Sequence, residues 1–398
     1  MNMNLISSKM ARMQEAMGTL LGLMADPAFN ARKDDPLACD FALGNPQDMP
    51  LPAYVQALQR WVTPQNKDWF AYKDNEPESR QVLSESLRAW RKVSYRPEDI
   101  FLTTGAFSAL AVCLNAVVDA GDEVIFNSPP WFFYEGLILS AGGTPVRVRI
   151  NEQTFDLDLA AIEAAITPRT RAIIVNSPNN PTGKIYPETT LRALAEILED
   201  AQKRTGRPIY LLSDESYSKI VYDGRSFFSP TSYHPHSFLI YTYGKTLLAP
   251  GQRLGFIALP PNLPEPEPLR NAITLSQFMT GYAFPNALLQ HAIGDLEKLS
   301  IDVGHLQEKR DRMVRSLREA GYQVHSPEGT FYLLPKSPIP DDMAFIRMLG
   351  EEHIYCLPGV AAEMPGYFRI SLTASDAMID RALPGFFDAI KKAKKIST

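Results

Sequence analysis

Lys245 and Arg253 are the residues whose placement points most directly to chemistry. Lys245 follows the apolar run Phe238-Leu-Ile-Tyr-Thr242, and Arg253 lies eight residues on, in Tyr243-Gly-Lys-Thr-Leu-Leu-Ala-Pro-Gly-Gln-Arg-Leu-Gly255. A lysine amine at the end of a buried strand can bind an aldehyde as a Schiff base, and a nearby guanidinium can grip a phosphate through paired hydrogen bonds. The pair suits a covalently held, phosphorylated aldehyde. Solvated basic residues beside strand ends are also common, so the spacing alone does not decide.

Four other segments carry polar chemistry just past an apolar run. After Arg171-Ala-Ile-Ile-Val175 comes Asn176-Ser-Pro-Asn-Asn-Pro-Thr-Gly183, where Asn180 can donate to an anionic oxygen or simply belong to a turn. After Ile209-Tyr-Leu-Leu-Ser213 comes Asp214-Glu-Ser-Tyr217. Asp214 is either a helix cap or an ion-pair partner for a ring nitrogen. Thr103-Thr-Gly-Ala-Phe-Ser108 opens an apolar helix, and its glycine and small residues form an anion site of backbone N–H groups. Asn127-Ser-Pro-Pro-Trp-Phe-Phe-Tyr134 supplies aromatic rings for the core or for stacking on a flat heterocycle.

Elements that place such groups together are legible in the same stretch. Glu123–Phe126, Val146–Ile150, Arg171–Val175, Ile209–Ser213, Phe238–Thr242 and Gly255–Leu259 read as strands, alternating with helical patterns over Ala106–Val118 and Pro187–Lys203. The alternation predicts an α/β fold, a mostly parallel sheet with helices on both faces, whose ligands sit beyond the strands' carboxyl ends. After Phe284-Pro285 the pattern turns to a charged helical stretch, Asn286–Ala320, strand-like Gly329–Leu334 and Tyr367–Ser371, and a terminal helix from about Ser375. The expected division is a large domain over 52–285 and a smaller α+β domain from 1–51 plus 286–398. Met10, Met13, Met17, Leu20, Leu21 and Met24 recur at helical spacing and predict a helix packed on the body or on a partner subunit.

Composition excludes several classes. A net charge of −5 with no Lys/Arg-rich block offers nothing to a nucleic-acid backbone. The longest uncharged stretch, Asn271–Gly294, is too polar to span a membrane. Leu20-Leu21-Gly22-Leu23-Met24 only loosely imitates a secretory signal. Cys39, Cys113 and Cys356 are far apart in apolar contexts and give neither a disulfide framework nor a metal-ligand pattern, so no metal is expected and a reducing, cytoplasmic setting is.

Taken together, these motifs and their order resemble the class I/II aminotransferase family of fold-type I pyridoxal-phosphate enzymes over nearly the whole chain. The resemblance implies a pyridoxal 5'-phosphate cofactor and transfer of an amino group between an L-amino acid and a 2-oxo acid. It implies that Lys245 binds the cofactor and shuttles the substrate α-proton, and that Asp214 keeps the pyridine nitrogen protonated. Asn180 and Tyr217 would hydrogen-bond the phenolic oxygen, and Trp131 would stack on the ring. Arg253, Thr242 and the amides after Gly105, those of Ala106 and Phe107, would hold the phosphate. Arg369, in Tyr367-Phe-Arg-Ile-Ser371, would bind the substrate carboxylate, approached by the backbone of Gly44 and by Asn180. Tyr72 fits a tyrosine that reaches the phosphate from a neighbouring subunit, which implies a homodimer with shared sites. Other reactions of the same fold, elimination or oxidation, are alternatives; a non-catalytic sensor is a remote one, since residues 1–43 are not notably basic.

The chain also departs from the family pattern. Pro77 and Gln81-Val82 stand where a glycine and a leucine-arginine pair are usual, and Gly244 stands where a serine is common. Phe107 occupies a position where several members carry a lysine, and no arginine lies between Arg270 and Arg310. These point towards a neutral or aromatic amino donor, with Phe107, Phe278, Tyr282 and Phe284 either near the pocket or in the core. Ala362, where a phenylalanine is usual, is expected to enlarge the substrate side.

Overall fold

The computed structural model describes residues 5–396. Its centre is a seven-stranded sheet built, in chain order, from β1 (Ile100–Thr103), β2 (Glu123–Ser128), β3 (Thr144–Arg149), β4 (Thr170–Asn176), β5 (Tyr210–Asp214), β6 (Ser237–Thr242) and β7 (Gly255–Ala258). The spatial order is β1-β7-β6-β5-β4-β2-β3. Every neighbouring pair is parallel except those made by β7, which runs against both β1 and β6.

Both faces of this sheet are covered, as the continuous apolar runs require. Side chains alternate across a strand, and in β4 Ala172 and Ile174 join one buried cluster while Ile173 and Val175 join another. The first cluster is filled from the helix Ala106–Val117 and from Leu269 and Ile273 of Pro266–Met279; the second from Leu191, Leu194 and Leu198 of Glu188–Thr205. Glu188–Thr205 follows Pro187 and ends at Gly206, whose φ of +68° lets the chain leave the helix left-handed.

A second core gathers residues from the two ends of the chain around Tyr217, Ile220 and Tyr222. Phe41 packs in one cluster with Phe345, Phe368 and Phe386. Cys39–Asp40 pairs in parallel with Ile354–Tyr355. Residues 1–4 and 397–398 of the expected small domain lie outside the described residues.

Three regions differ from the sequence reading. The stretch from Asn286 divides into Ala287–Leu296, capped by the Asn286 side chain, and Val303–Ala320, capped by Asp302. The strand expected over Gly329–Leu334 shrinks to Tyr332–Leu333, because Gly329 is drawn into a bridge with Val221 and Thr330 turns at φ +66°. The N-terminal methionine pattern likewise forms two helices, Ser8–Ala16 and Gly18–Ala25. The first lies on the body, where Lys9 Nζ donates to Ser140 O at 3.3 Å. No described helix is long and apolar enough to cross a membrane.

Candidate active site

Asn176, Asp214 and Thr242 end β4, β5 and β6, and Gly255 begins the reversed β7, so the register brings all four to one edge. A cavity of about 200 Å³ opens there. Gly44, Ala106, Phe107, Trp131, Asn180, Asp214, Tyr217, Thr242, Lys245, Arg253 and Arg369 all line it. Gly105 sits just behind, against Arg253. Tyr72 is 86% exposed and lies against Phe284 at 4.8 Å between ring centroids, outside the cavity of its own chain.

Lys245 is carried by the single turn Tyr243–Thr246 that caps β6. Thr242 Oγ1 accepts from Gly244 N at 3.4 Å and donates to Leu254 O at 3.2 Å. That hydroxyl therefore ties the lysine turn to the segment bearing Arg253, a task the sequence did not suggest. Lys245 Nζ lies 5.6 Å from the Tyr217 ring and 5.9 Å from the Phe331 ring. It makes no ion pair among the described residues.

Arg253 points back over the start of the Ala106–Val117 helix. Its only hydrogen bond among the described residues is from Nη1 to Pro250 O, at 2.6 Å. It is exposed to the cavity, yet enough protein surrounds it for desolvation to pull its guanidinium below the ordinary range. Gly105 holds φ +88° and ψ 175°, and a Cβ there would fall 2.6 Å from Arg253 Nη2. Helix geometry leaves the amides of Ala106 and Phe107 without partners inside the helix. The result is a concave group of donors shaped for an anion.

Asp214 is 5% exposed and is held by neutral donors only. Tyr134 Oη donates to Oδ2 at 2.7 Å, while Ser216 Oγ and N donate to Oδ1 at 2.6 and 3.2 Å. Burial, then the neighbouring Asp214 charge, push the Tyr134 phenol far up, so it stays a donor. No cation pairs with Asp214 among the described residues. Its neighbour Glu215 makes the contrast plain: it is fully buried, bonded to Ser213 and Ser229, and paired with Arg91.

Arg369 is 3% exposed and has no carboxylate partner among the described residues. Nη1 donates to Asn180 Oδ1 at 3.1 Å and Nη2 to Ala42 O at 3.0 Å, while buried Nε has no partner. Its guanidinium carbon lies 4.1 Å from the Tyr332 ring centroid. The Tyr332 ring lies 6.0 Å from the Tyr217 ring, so the two phenols influence each other's ionisation. Burial opposes ionisation of Tyr332, but Arg369 and Lys245 outweigh it and bring the phenol below its usual range; burial and Tyr332 push Tyr217 up.

Several expectations change here. Of the rings considered for the pocket, Phe107 lines the cavity and Phe278, Tyr282 and Phe284 do not, because the latter sit on or beyond the far end of the Pro266–Met279 helix. Ala362 is buried but does not face the cavity, so its small size does not widen it. Tyr134 and Tyr332 were missed as functional residues. The first was visible only as one ring in an aromatic run, the second only as a strand residue, although its pairing partner Ser371 lies two residues from Arg369. No cluster of three metal-ligating side chains occurs among the described residues, and the three cysteines are buried and unpaired.

A family model described as aminotransferase class I and II matches residues 38–386. An aspartate/prephenate aminotransferase of Thermus thermophilus is 31% identical over 87% of this chain and 89% of that protein. A probable aspartate aminotransferase of Methanocaldococcus jannaschii is 30% identical over 89% and 93%. Among solved structures, an amino transferase from Eubacterium rectale superposes with a TM-score of 0.86 at 28% identity, covering 98% of this chain and 96% of that one. The Thermus thermophilus aspartate aminotransferase with maleate gives 0.82 at 27% identity, covering 97% and 100%.

Proposed function

The chain belongs to the class I and II aminotransferase family, and from that premise we propose that this cavity holds pyridoxal 5'-phosphate and an amino acid together. The family and its named relatives make the protein an enzyme that transfers an amino group between an amino acid and a 2-oxo acid. One observation carries the assignment of residues. The cavity has two guanidiniums without a carboxylate, Arg253 and Arg369, and one buried carboxylate without a cation, Asp214, among the described residues. A phosphate, a substrate carboxylate and a protonated ring nitrogen supply the three missing charges.

On this reading Lys245 holds the cofactor's aldehyde carbon, Arg253 and the Ala106 and Phe107 amides hold its phosphate, and Trp131 covers its ring. When bound, the cofactor supplies a conjugated cationic ring that stores the electron pair released at the substrate α-carbon. Asp214 keeps the ring nitrogen protonated; Tyr134 and Ser216 fix the orientation of that carboxylate and stabilise its charge. Asn180 has its amide oxygen bound to Arg369, which leaves its amide nitrogen to donate to the cofactor's phenolic oxygen beside Tyr217. Arg369 orients the substrate carboxylate, with Gly44 giving close approach, and Lys245 then moves the proton at the α-carbon.

The division into 52–285 and 1–51 with 286–398 is part of the proposal, supported by the core in which Phe41 packs with Phe368 and Phe386 and to which 52–285 adds only Tyr217, Ile220 and Tyr222 among its buried members. So is a homodimer. Tyr72, Phe278 and Phe284 form an exposed aromatic contact series, near Leu275 and Met279 on the same helix, which a second copy would cover. A reducing cytoplasm is proposed from the three unpaired thiols.

The test is a half-reaction. The yellow cofactor-loaded protein, mixed with an amino donor alone, should lose its absorbance as pyridoxamine phosphate and the 2-oxo acid form. Lys245→Ala should lose the cofactor that borohydride fixes covalently in the wild type. Release of ammonia with no pyridoxamine phosphate would overturn the transaminase reading of this site.

A further inference from the structure

Three cations line the cavity: Lys245, Arg253 and Arg369. The proposed function occupies all of them, with the aldehyde, the phosphate and the substrate carboxylate. What remains around the carboxylate site is aromatic. The Arg369 guanidinium carbon lies 4.1 Å from the Tyr332 ring and 6.0 Å from the Phe132 ring. Phe132 continues into Trp131 at 6.3 Å between centroids, and Trp131 meets Phe107 edge-on at 5.1 Å. Leu43 adds an aliphatic side chain, and Asn45 an uncharged amide.

The next guanidiniums are spoken for. Arg147 and Arg149 line a neighbouring cavity of about 390 Å³ that shares Trp131 and Phe132 with the first. Arg147 pairs with Glu135 at 2.5 Å and Glu363 at 2.8 Å, and Arg149 with Glu152 at 3.2 Å. A second carboxylate on the substrate would leave water for this wall with no opposite charge among the described residues of this chain to meet it, whereas an apolar or aromatic side chain gains by the same move.

We infer that the amino donor of this enzyme has a neutral side chain, apolar or aromatic, and that the Phe107–Trp131–Phe132–Tyr332 wall selects it. The inference rests on the reading that Arg369 takes the α-carboxylate. An uncompensated charge at such a wall lowers kcat/KM on the order of 100-fold.

The experiment measures single-turnover half-reactions of the cofactor-loaded enzyme, without acceptor, for phenylalanine, tyrosine, leucine and methionine against aspartate and glutamate. Neutral donors should lead by about 100-fold in kcat/KM. Calorimetric titration with 3-phenylpropionate and with succinate reads binding apart from turnover, and 3-phenylpropionate should bind more tightly. Phe132→Ala should lower kcat/KM for phenylalanine more than for alanine, a split that general damage to the site would not give. Equal or better kcat/KM for aspartate or glutamate overturns the inference, whether the missing cation comes from a second copy or elsewhere, and leaves the transaminase reading standing. Failure of every donor overturns both, with tight 3-phenylpropionate binding and no turnover locating the fault in the parent reading.

Discussion

Gly105 gives the sharpest test of how the cavity grips a phosphate. Its φ of +88° and ψ of 175° lie in a region that is essentially glycine's own, where another residue costs about 1–3 kcal/mol. A methyl group there would also sit 2.6 Å from Arg253 Nη2 and 3.0 Å from Cζ, so Gly105→Ala must push the guanidinium aside. Charged hydrogen bonds are worth about 1.5–3 kcal/mol each. Losing one therefore weakens pyridoxal phosphate about 10- to 100-fold, at about 1.4 kcal/mol per factor of ten. Gly121→Ala is the control: its φ is +90°, and a Cβ there meets nothing within 4 Å. Both variants should lose thermal stability, but only Gly105→Ala should lose cofactor affinity in equilibrium titration of the apoprotein. Pyridoxal, which lacks the phosphate, should bind Gly105→Ala nearly as well as wild type. Equal pyridoxal-phosphate affinity in the two alanine variants would refute the role given to Arg253.

Three further outcomes are expected. Arg369→Lys keeps the charge but loses the planar fork stacked on Tyr332 and bonded to Asn180 and Ala42; steady-state kinetics should show KM for the amino donor raised about 10- to 100-fold with cofactor affinity unchanged. His234 is buried, Nε2 bonds to Ile209 O at 2.8 Å, and burial pushes its pKa down to about 4. Between the ordinary histidine value of 6.5 and about 4 the unfolded chain binds a proton that the native state refuses, so stability falls as pH falls through that window; urea unfolding of wild type should lose on the order of 2 kcal/mol more than His234→Gln between pH 7.5 and pH 5. Tyr72→Ala and Lys245→Ala, each expected to be nearly inactive alone, should regain activity when unfolded and refolded together, since a mixed dimer with shared sites contains one intact site; no recovery despite proven mixed dimers would exclude Tyr72 from a shared site.

Asn180, Asp214 and Lys245 were legible in the sequence for one reason: each is a polar residue a few positions beyond a local apolar run. In a parallel sheet covered on both faces the strand is apolar throughout and its chemistry begins where it ends, whereas Arg253 precedes the reversed strand and Arg369 lies within one. Tyr134 acts on Asp214 across 80 residues, and nothing near either of them encodes the bond. The short strand at 332–333 was blurred for a related reason. Its start is set by a bridge from Val221 to Gly329 and by the turn at Thr330, contacts that exist only once the chain has packed. Thr242 is a different case: the residue was found and lines the cavity, while the bonds of its hydroxyl to the lysine turn and to Leu254 were not legible.

The joining of the two chain ends has a consequence in time. During synthesis Gly105, Asp214, Lys245 and Arg253 leave the ribosome well before Arg369, and Cys39–Asp40 waits for Ile354–Tyr355 before it has a partner. On the proposed reading, every residue assigned to the aldehyde and phosphate is made before Arg369 and Tyr332. A nascent chain thus completes the proposed cofactor side of the cavity before it can grip a substrate's carboxylate.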